Sequence, residues 1–244
     1  MDTPPTATPL IRKLESILVL SENEKDVLRN VSGTTKTVGP RQDLVREGDR
    51  PHECCLILDG FAYRYKLTDD GKRQIFSFHI PGDIPDLQSL HIDVMDHSLS
   101  SLTTCRAMYV PHETVCHLMR RCPRIGDAFW RETLIDGAVF REWILNLGRR
   151  EAYGRMAHLL CEFYVRLRAV GLTNGHAYDM PFTQAELADA TGLSAVHVNR
   201  TLQDLRAGGL ITWRAGSVTV LDWERLKEAG EFDPAYLHLR KDAA

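Results

Sequence analysis

Between Phe61 and Leu67 the chain alternates, with Phe61, Tyr63, Tyr65 and Leu67 separated by polar or small residues. A period of two predicts a half-buried β-strand. Thr68-Asp69-Asp70-Gly71 follows as a turn, and Gln74 to Ile80 returns as a second strand. Gly48-Asp49, Asp59-Gly60 and Pro81-Gly82-Asp83 punctuate the flanking sequence. The region from Thr34 to Val110 therefore reads as short antiparallel strands of a small roll or barrel. Ahead of it, the Pro- and Thr-rich residues 1–10 read as a flexible tail. A short helix carrying Leu14 and Leu18 follows, then a second from Ser21, where Ser21 and Glu24 have capping-box spacing.

From Ile125 to Leu147 the period becomes helical, and Trp130, Leu134, Ala138, Arg141 and Leu145 recur at spacings of three and four. Such a stripe needs a partner. Packing on the β domain satisfies it, and so does pairing with the same helix of a second subunit. After Gly148-Arg149-Arg150 a further amphipathic helix runs to Arg168, with Met156, Leu159, Leu160, Phe163 and Leu167 as its apolar set, ended by Gly171 and the Thr173-Asn174-Gly175 turn.

The most informative segment runs from Phe182 to Leu221. Thr183 and Glu186 make a T-x-x-E capping box, with Phe182 and Leu187 placed as its hydrophobic staple. A short helix thus starts at Gln184 and stops at Thr191-Gly192, and Ser194 caps a second. Two short helices joined by a glycine turn are the helix-turn-helix pattern. On the second helix, Val198, Leu202 and Leu205 fall on one side, while Val196, Arg200 and Gln203 fall opposite and Asn199 lies at the margin. Arg can donate twice to guanine, and Asn can pair with adenine. Gly208-Gly209 ends the helix, and residues 210–221, with a turn at Arg214-Ala215-Gly216, read as the β-hairpin of a wing. Val196, His197, Asn199, Arg200 and Gln203 are the candidate base readers; Ser194 stands at the helix start, and Gln184 is a candidate phosphate contact.

Composition changes this picture little. The 244 residues are 43% hydrophobic and 26% charged, the balance of a globular protein. The net charge of −3 does not exclude a nucleic-acid partner, because phosphate contacts depend on where Lys and Arg sit. No run of about 18 apolar residues is present, and the start lacks the features of a secretory signal; a cytoplasmic protein without a membrane partner is expected. The six cysteines form no C-x-x-C pair and read as small apolar fillers.

Across nearly its whole length the chain resembles the Crp/Fnr family of bacterial transcription regulators. Glu47-Gly48-Asp49 and Leu56-Ile57-Leu58-Asp59-Gly60 look like the opening of that family's cyclic-nucleotide-binding-type roll, and Pro81-Gly82-Asp83-Ile84 matches a later turn. The helix from Ile125 corresponds to its dimerisation helix, and Ser194 to Arg200 aligns with the start of its recognition helix. The resemblance implies an α+β fold: an N-terminal β-roll, a long dimerisation helix and a C-terminal winged helix-turn-helix. It implies a homodimer on double-stranded DNA, with RNA polymerase as a partner. Two departures matter. Val196 stands where well-known members carry Glu, Asn199 where a small residue is usual, and His197 replaces Thr, so a different operator is expected. Nucleotide-binding members use Gly-Glu and Arg-Ser or Arg-Thr pairs; here Pro85-Asp86 and His97-Ser98 stand nearest. Asp86, His97 and Ser98 are the candidate effector pocket, and loss of the phosphate-holding Arg argues against cyclic AMP. No Cys precedes Cys54, so no iron–sulfur cluster is expected. His79, His91 and His97 are considered as haem or metal ligands, but their spacing matches no such site, and no metal ligand is assigned.

The expected divisions are a tail (1–10), a sensor roll (11–122), a dimerisation helix (123–147) and a winged helix-turn-helix domain (148–244). No nucleophile elbow, P-loop or H-E-x-x-H is present, so an enzyme is not expected. The alternative to a DNA-binding regulator is a ligand-binding signalling module whose helix-turn-helix contacts protein.

Overall fold

The structure, a computed structural model, describes residues 8–240. It divides into two compact units: one runs to Lys72 and from Phe76 to Asp136, the other comprises Arg73–Ile75 and the chain from Gly137 on. The tail expected over residues 1–10 lies outside the described residues as far as residue 7. Its last three residues instead open helix α1 (Thr8–Glu15), which begins with Pro9 in its first turn and buries Leu10, Ile11 and Leu14. Helix α2 (Glu22–Arg29) starts on the capping box read from the sequence, with both halves formed between Ser21 and Glu24.

The roll has two antiparallel sheets. In one, β1 (Thr34–Val38) and β3 (Glu53–Asp59) flank β7 (Cys105–Pro111). In the other, the order is β2 (Asp43–Val45), β6 (Ser98–Ser101), β4 (Ala62–Leu67), β5 (Arg73–His79). Both sheets feed a core of Val45, Cys55, Ile57, Ala62, Met95, Leu99, Cys105 and Ala107, so two of the cysteines are apolar filling as expected. Burial pushes the Cys105 thiol up to about 11. The turn at Gly82 (φ +101°) admits only glycine, since a Cβ there would stand 2.4 Å from the Pro9 carbonyl oxygen of α1.

The alternation read in β4 gives the right element and the wrong faces. Tyr63 is buried, but so is Arg64, while Leu67 is exposed. Arg64 tolerates burial because it has internal acceptors, which a period-two pattern does not reveal. Helix α3 (His112–Arg121) also lies where the patterning predicted no element.

Helix α4 (Pro123–Arg149, 27 residues) is continuous across the division between the units. Its first half is tied to the roll, and its second half to α5 (Ala152–Ala169). The division therefore falls inside the helix, at Asp136/Gly137. In the second unit, α6 (Gln184–Thr191) and α7 (Ala195–Ala207) lie in the chain between the two halves of a four-stranded sheet. Its order is β10 (Ile211–Arg214), β11 (Ser217–Val220), β9 (Ala177–Asp179), β8 (Thr173–Asn174). The segment read only as a turn at 173–175 is thus a small hairpin that extends the wing sheet. Helix α8 (Trp223–Ala229) and a single turn at Pro234–Leu237 complete the unit.

Candidate nucleic-acid interface

Thr183 caps α6 by accepting from the Glu186 amide at 3.2 Å, and the Glu186 carboxylate accepts from the Thr183 amide at 2.8 Å. Gly192, left-handed at φ 65°, closes α6, and Ser194 caps α7 by accepting from the His197 amide at 3.2 Å. Val198, Leu202 and Leu205 are buried, fixing the rotation of α7. Val196 (82% exposed), His197, Arg200 and Gln203 consequently face outward, and Asn199 lies half-buried at the margin. Gln184 is exposed in the first turn of α6, and the Ser194 hydroxyl is engaged as the cap. Arg200 and the exposed N-terminal turn of α7, where the helix dipole is positive, form a surface suited to base edges and phosphates. The wing turn Ala215-Gly216 has positive φ at both residues, 49° and 79°, as a two-residue hairpin requires. It leaves Arg214 exposed beside it.

Sequence patterning missed what holds this motif in place. Arg155 on α5 donates to the Asn146 carbonyl at 3.2 Å and to the Leu147 and Arg150 carbonyls at 2.9 Å each, in the last turn of α4 and just past it. It also donates to the Thr191 carbonyl at the end of α6. One guanidinium thus satisfies carbonyls that two helix ends leave open. Further along α5, the fully buried Glu162 accepts from Trp143 of α4 at 3.1 Å, Tyr236 at 2.8 Å and Arg166 at 3.2 Å. A lone Arg four residues into a helix carries no local signal of these roles.

In the roll, the three candidate effector residues are buried and each makes an internal hydrogen bond, while Asp86 Oδ2 and His97 Nε2 are buried with no hydrogen-bond partner among the described residues. Asp86 Oδ1 accepts from the Cys55 amide at 2.7 Å, and burial pushes its carboxyl up to about 6. His97 Nδ1 lies 2.7 Å from Asp96, and burial holds the imidazole below its usual range. The Ser98 hydroxyl accepts from the Glu47 amide at 3.0 Å. Arg64 donates to the Pro85 carbonyl at 2.8 Å through Nε and lies 2.5 Å from Asp136 of α4. These residues do not fit a cyclic nucleotide, because the buried guanidinium already has a carboxylate and Asp86 would face a phosphate with a like charge.

On α4, Trp130, Leu134, Arg141 and Leu145 of the expected stripe are exposed. Ala138 is the exception, being 5% exposed. At about 100° per residue it has drifted some 80° from Trp130. Ile144, 70% exposed, joins the open stripe instead. His79 and His97 are buried with their own partners while His91 is exposed, and among the described residues no cluster of His, Cys, Asp or Glu is placed to hold a metal. No described helix is long and apolar enough to cross a membrane.

A sensor-type roll leading through one long helix into a winged helix-turn-helix defines a class of DNA-binding transcription regulators. Residues 35–122 match the cyclic nucleotide-binding domain family, and residues 154–229 match the Crp-like helix-turn-helix domain family. The transcriptional activator protein FnrL of Cereibacter sphaeroides is 30% identical over 198 residues, 78% of each chain. The anaerobic regulatory protein of Haemophilus influenzae is 25% identical, over 86% of this chain and 81% of its own. Among solved structures, FixK2 from Bradyrhizobium japonicum superposes with a TM-score of 0.74 at 22% identity, over 81% of this chain and 97% of its own. The chain belongs to the Crp/Fnr family of transcription regulators.

Proposed function

We propose that the protein binds a palindromic operator in double-stranded DNA as a homodimer, reading bases with the outer face of α7. The observation that carries this reading is the division of α7: Val198, Leu202 and Leu205 are buried, and Val196, Arg200 and Gln203 stand outward immediately after the Ser194 cap. In helix-turn-helix proteins the N-terminal residues of this second helix enter the major groove, and paired half-sites lie about 34 Å apart. Arg200 is assigned to a guanine, and Val196, His197, Asn199 and Gln203 to the neighbouring bases, with Gln184 and Ser194 toward phosphate. Val196 offers only apolar contact, such as a thymine methyl, so the operator differs from one read by a Glu at that position. Dimerisation is assigned to the α4 stripe, and RNA polymerase is the further partner that the family relation supports. The effector is not a standard cyclic nucleotide, and the protein acts in the cytoplasm.

Selection from random DNA by wild type and Arg200→Ala tests the assignment. Wild type should enrich a palindrome with half-sites one helical turn apart. Arg200→Ala should lose about 1–3 kcal/mol of binding and relax preference at one base pair per half-site. Identical enriched motifs remove Arg200 as a base reader. Failure to retard any fragment at low salt would favour protein contacts as the role of the motif.

A further inference from the structure

Arg64 lies on β4, a strand of the roll, and is 4% exposed. Its Nε and Nη2 both donate to the Pro85 carbonyl, next to Asp86, and its Nη1 pairs with Asp136 on α4. One buried guanidinium therefore joins a strand, the loop that follows Pro81-Gly82-Asp83, and the long helix. A second link runs alongside: Lys13 of α1 lies 3.0 Å from Asp83 in the same loop and 3.4 Å from Glu132, one helical turn before Asp136. A buried cation requires an anion, and here the anion comes from the helix itself. Asp136 thus takes the edge of the guanidinium that a small anionic ligand would otherwise hold.

Stability alone is a poor reason for such a pair, because well-packed apolar side chains commonly serve as well as a buried ion pair. What the pair adds is direction: it accepts one arrangement of β4, the Pro85 loop and α4. Helix α4 then continues without a break into the unit that carries α6 and α7. We propose that the Arg64–Asp136 pair is a built-in substitute for an anionic effector, holding the protein in its DNA-binding state with its own carboxylate. The proposal rests on the DNA-binding reading above and adds that no ligand in the roll is needed.

The test uses the full-length protein and the operator recovered by selection, with affinity measured by fluorescence anisotropy at constant ionic strength. Extensively dialysed wild type should bind at full affinity, and cyclic AMP or cyclic GMP should leave that affinity unchanged. Asp136→Ala should raise the apparent Kd about tenfold or more, as expected if the competent fraction falls to about a tenth. Sodium formate, a free carboxylate able to occupy the vacated place beside Arg64, should restore part of the affinity of Asp136→Ala. It should not help Arg64→Met, which binds equally weakly. Folded variants that bind like wild type overturn the proposal, as does a formate response that is absent or equal in both. So does wild type whose affinity rises about tenfold with a cyclic nucleotide. If the single variants fail to fold, Arg64→Met/Asp136→Met leaves no unpaired charge and takes their place; weak operator binding by the folded double variant supports the tie, and full binding overturns it. Wild type that binds no DNA at all defeats the functional reading instead.

Discussion

Asp86 and His79 are both buried in the roll, and their titrations pull stability in opposite directions. Burial pushes Asp86 up to about 6 from 3.8, against the lowering effect of the Cys55 amide. The folded protein therefore holds this proton more tightly than the unfolded chain, so the stability it contributes is full below 3.8 and lost as pH rises through about 6. Burial, and then the charge of Arg64, push His79 down to about 4 from 6.5. Its neutral form is favoured in the fold, so that contribution is full above 6.5 and lost as pH falls toward 4. Between these limits the two slopes largely offset each other. Asp86→Asn keeps an oxygen for the Cys55 amide and removes the charge, so at pH 7.5 it should stabilise the protein by about 1–3 kcal/mol. Its stability should then fall more steeply from about pH 6 to 4 than that of wild type. Urea unfolding at several pH values measures this, and a variant profile parallel to wild type contradicts it. At this scale the sequence is least legible: the resemblance places Asp86, His97 and Ser98 in an effector pocket, and the internal hydrogen bond that each of them makes has no signature in the sequence. Arg64, the residue that ties the site, sat in a polar slot of an alternating strand.

Elements whose determinants are adjacent in sequence were readable in advance. The capping boxes at Ser21/Glu24 and Thr183/Glu186, the glycine turn at Gly192 and the α7 division all use partners within a few residues of each other. The elements missed are α3, which no side chain caps, α8, whose Asp222 cap lacks the second half of a capping box, and the β8–β9 hairpin, whose strands are only two and three residues long. Arg155 belongs with these, since its carbonyl partners on α4 and α6 are fixed by the fold and not by spacing. Its role depends on the planar fork: a Lys keeps the charge but cannot address several diverging carbonyls. Arg155→Lys should therefore destabilise the protein by about 1–3 kcal/mol, the loss of more than one charge-assisted hydrogen bond. A shift smaller than about 0.5 kcal/mol in urea unfolding, within the range of ordinary surface substitutions, removes Arg155 as a joint between helix ends.

For the whole molecule, what the chain leaves uncovered matters most. Trp130 (65% exposed), Leu134 (54%), Ile144 and Leu145 run along one side of α4 with Arg141 among them, and no other described part of the chain buries them. An apolar stripe of this kind on a long helix marks an interface, and self-pairing around a two-fold axis is its commonest form. The helical period predicted the stripe but could not choose its partner, because packing on the roll and packing on a second subunit demand the same spacing. Ala138 shows how the choice is made: it lies on the side of the helix turned inward, while Leu134 does not. Leu134→Asp is consequently benign within a single chain, where the new carboxylate stays in water. In a dimer seam it would bury an unpaired charge at a cost of several kcal/mol. Sedimentation should show a dimer for wild type and a folded monomer for Leu134→Asp, and the monomer should lose the advantage of two linked half-sites while still binding DNA non-specifically. A stable Leu134→Asp dimer places the seam elsewhere, and with it the spacing of the two α7 helices on which the palindrome depends.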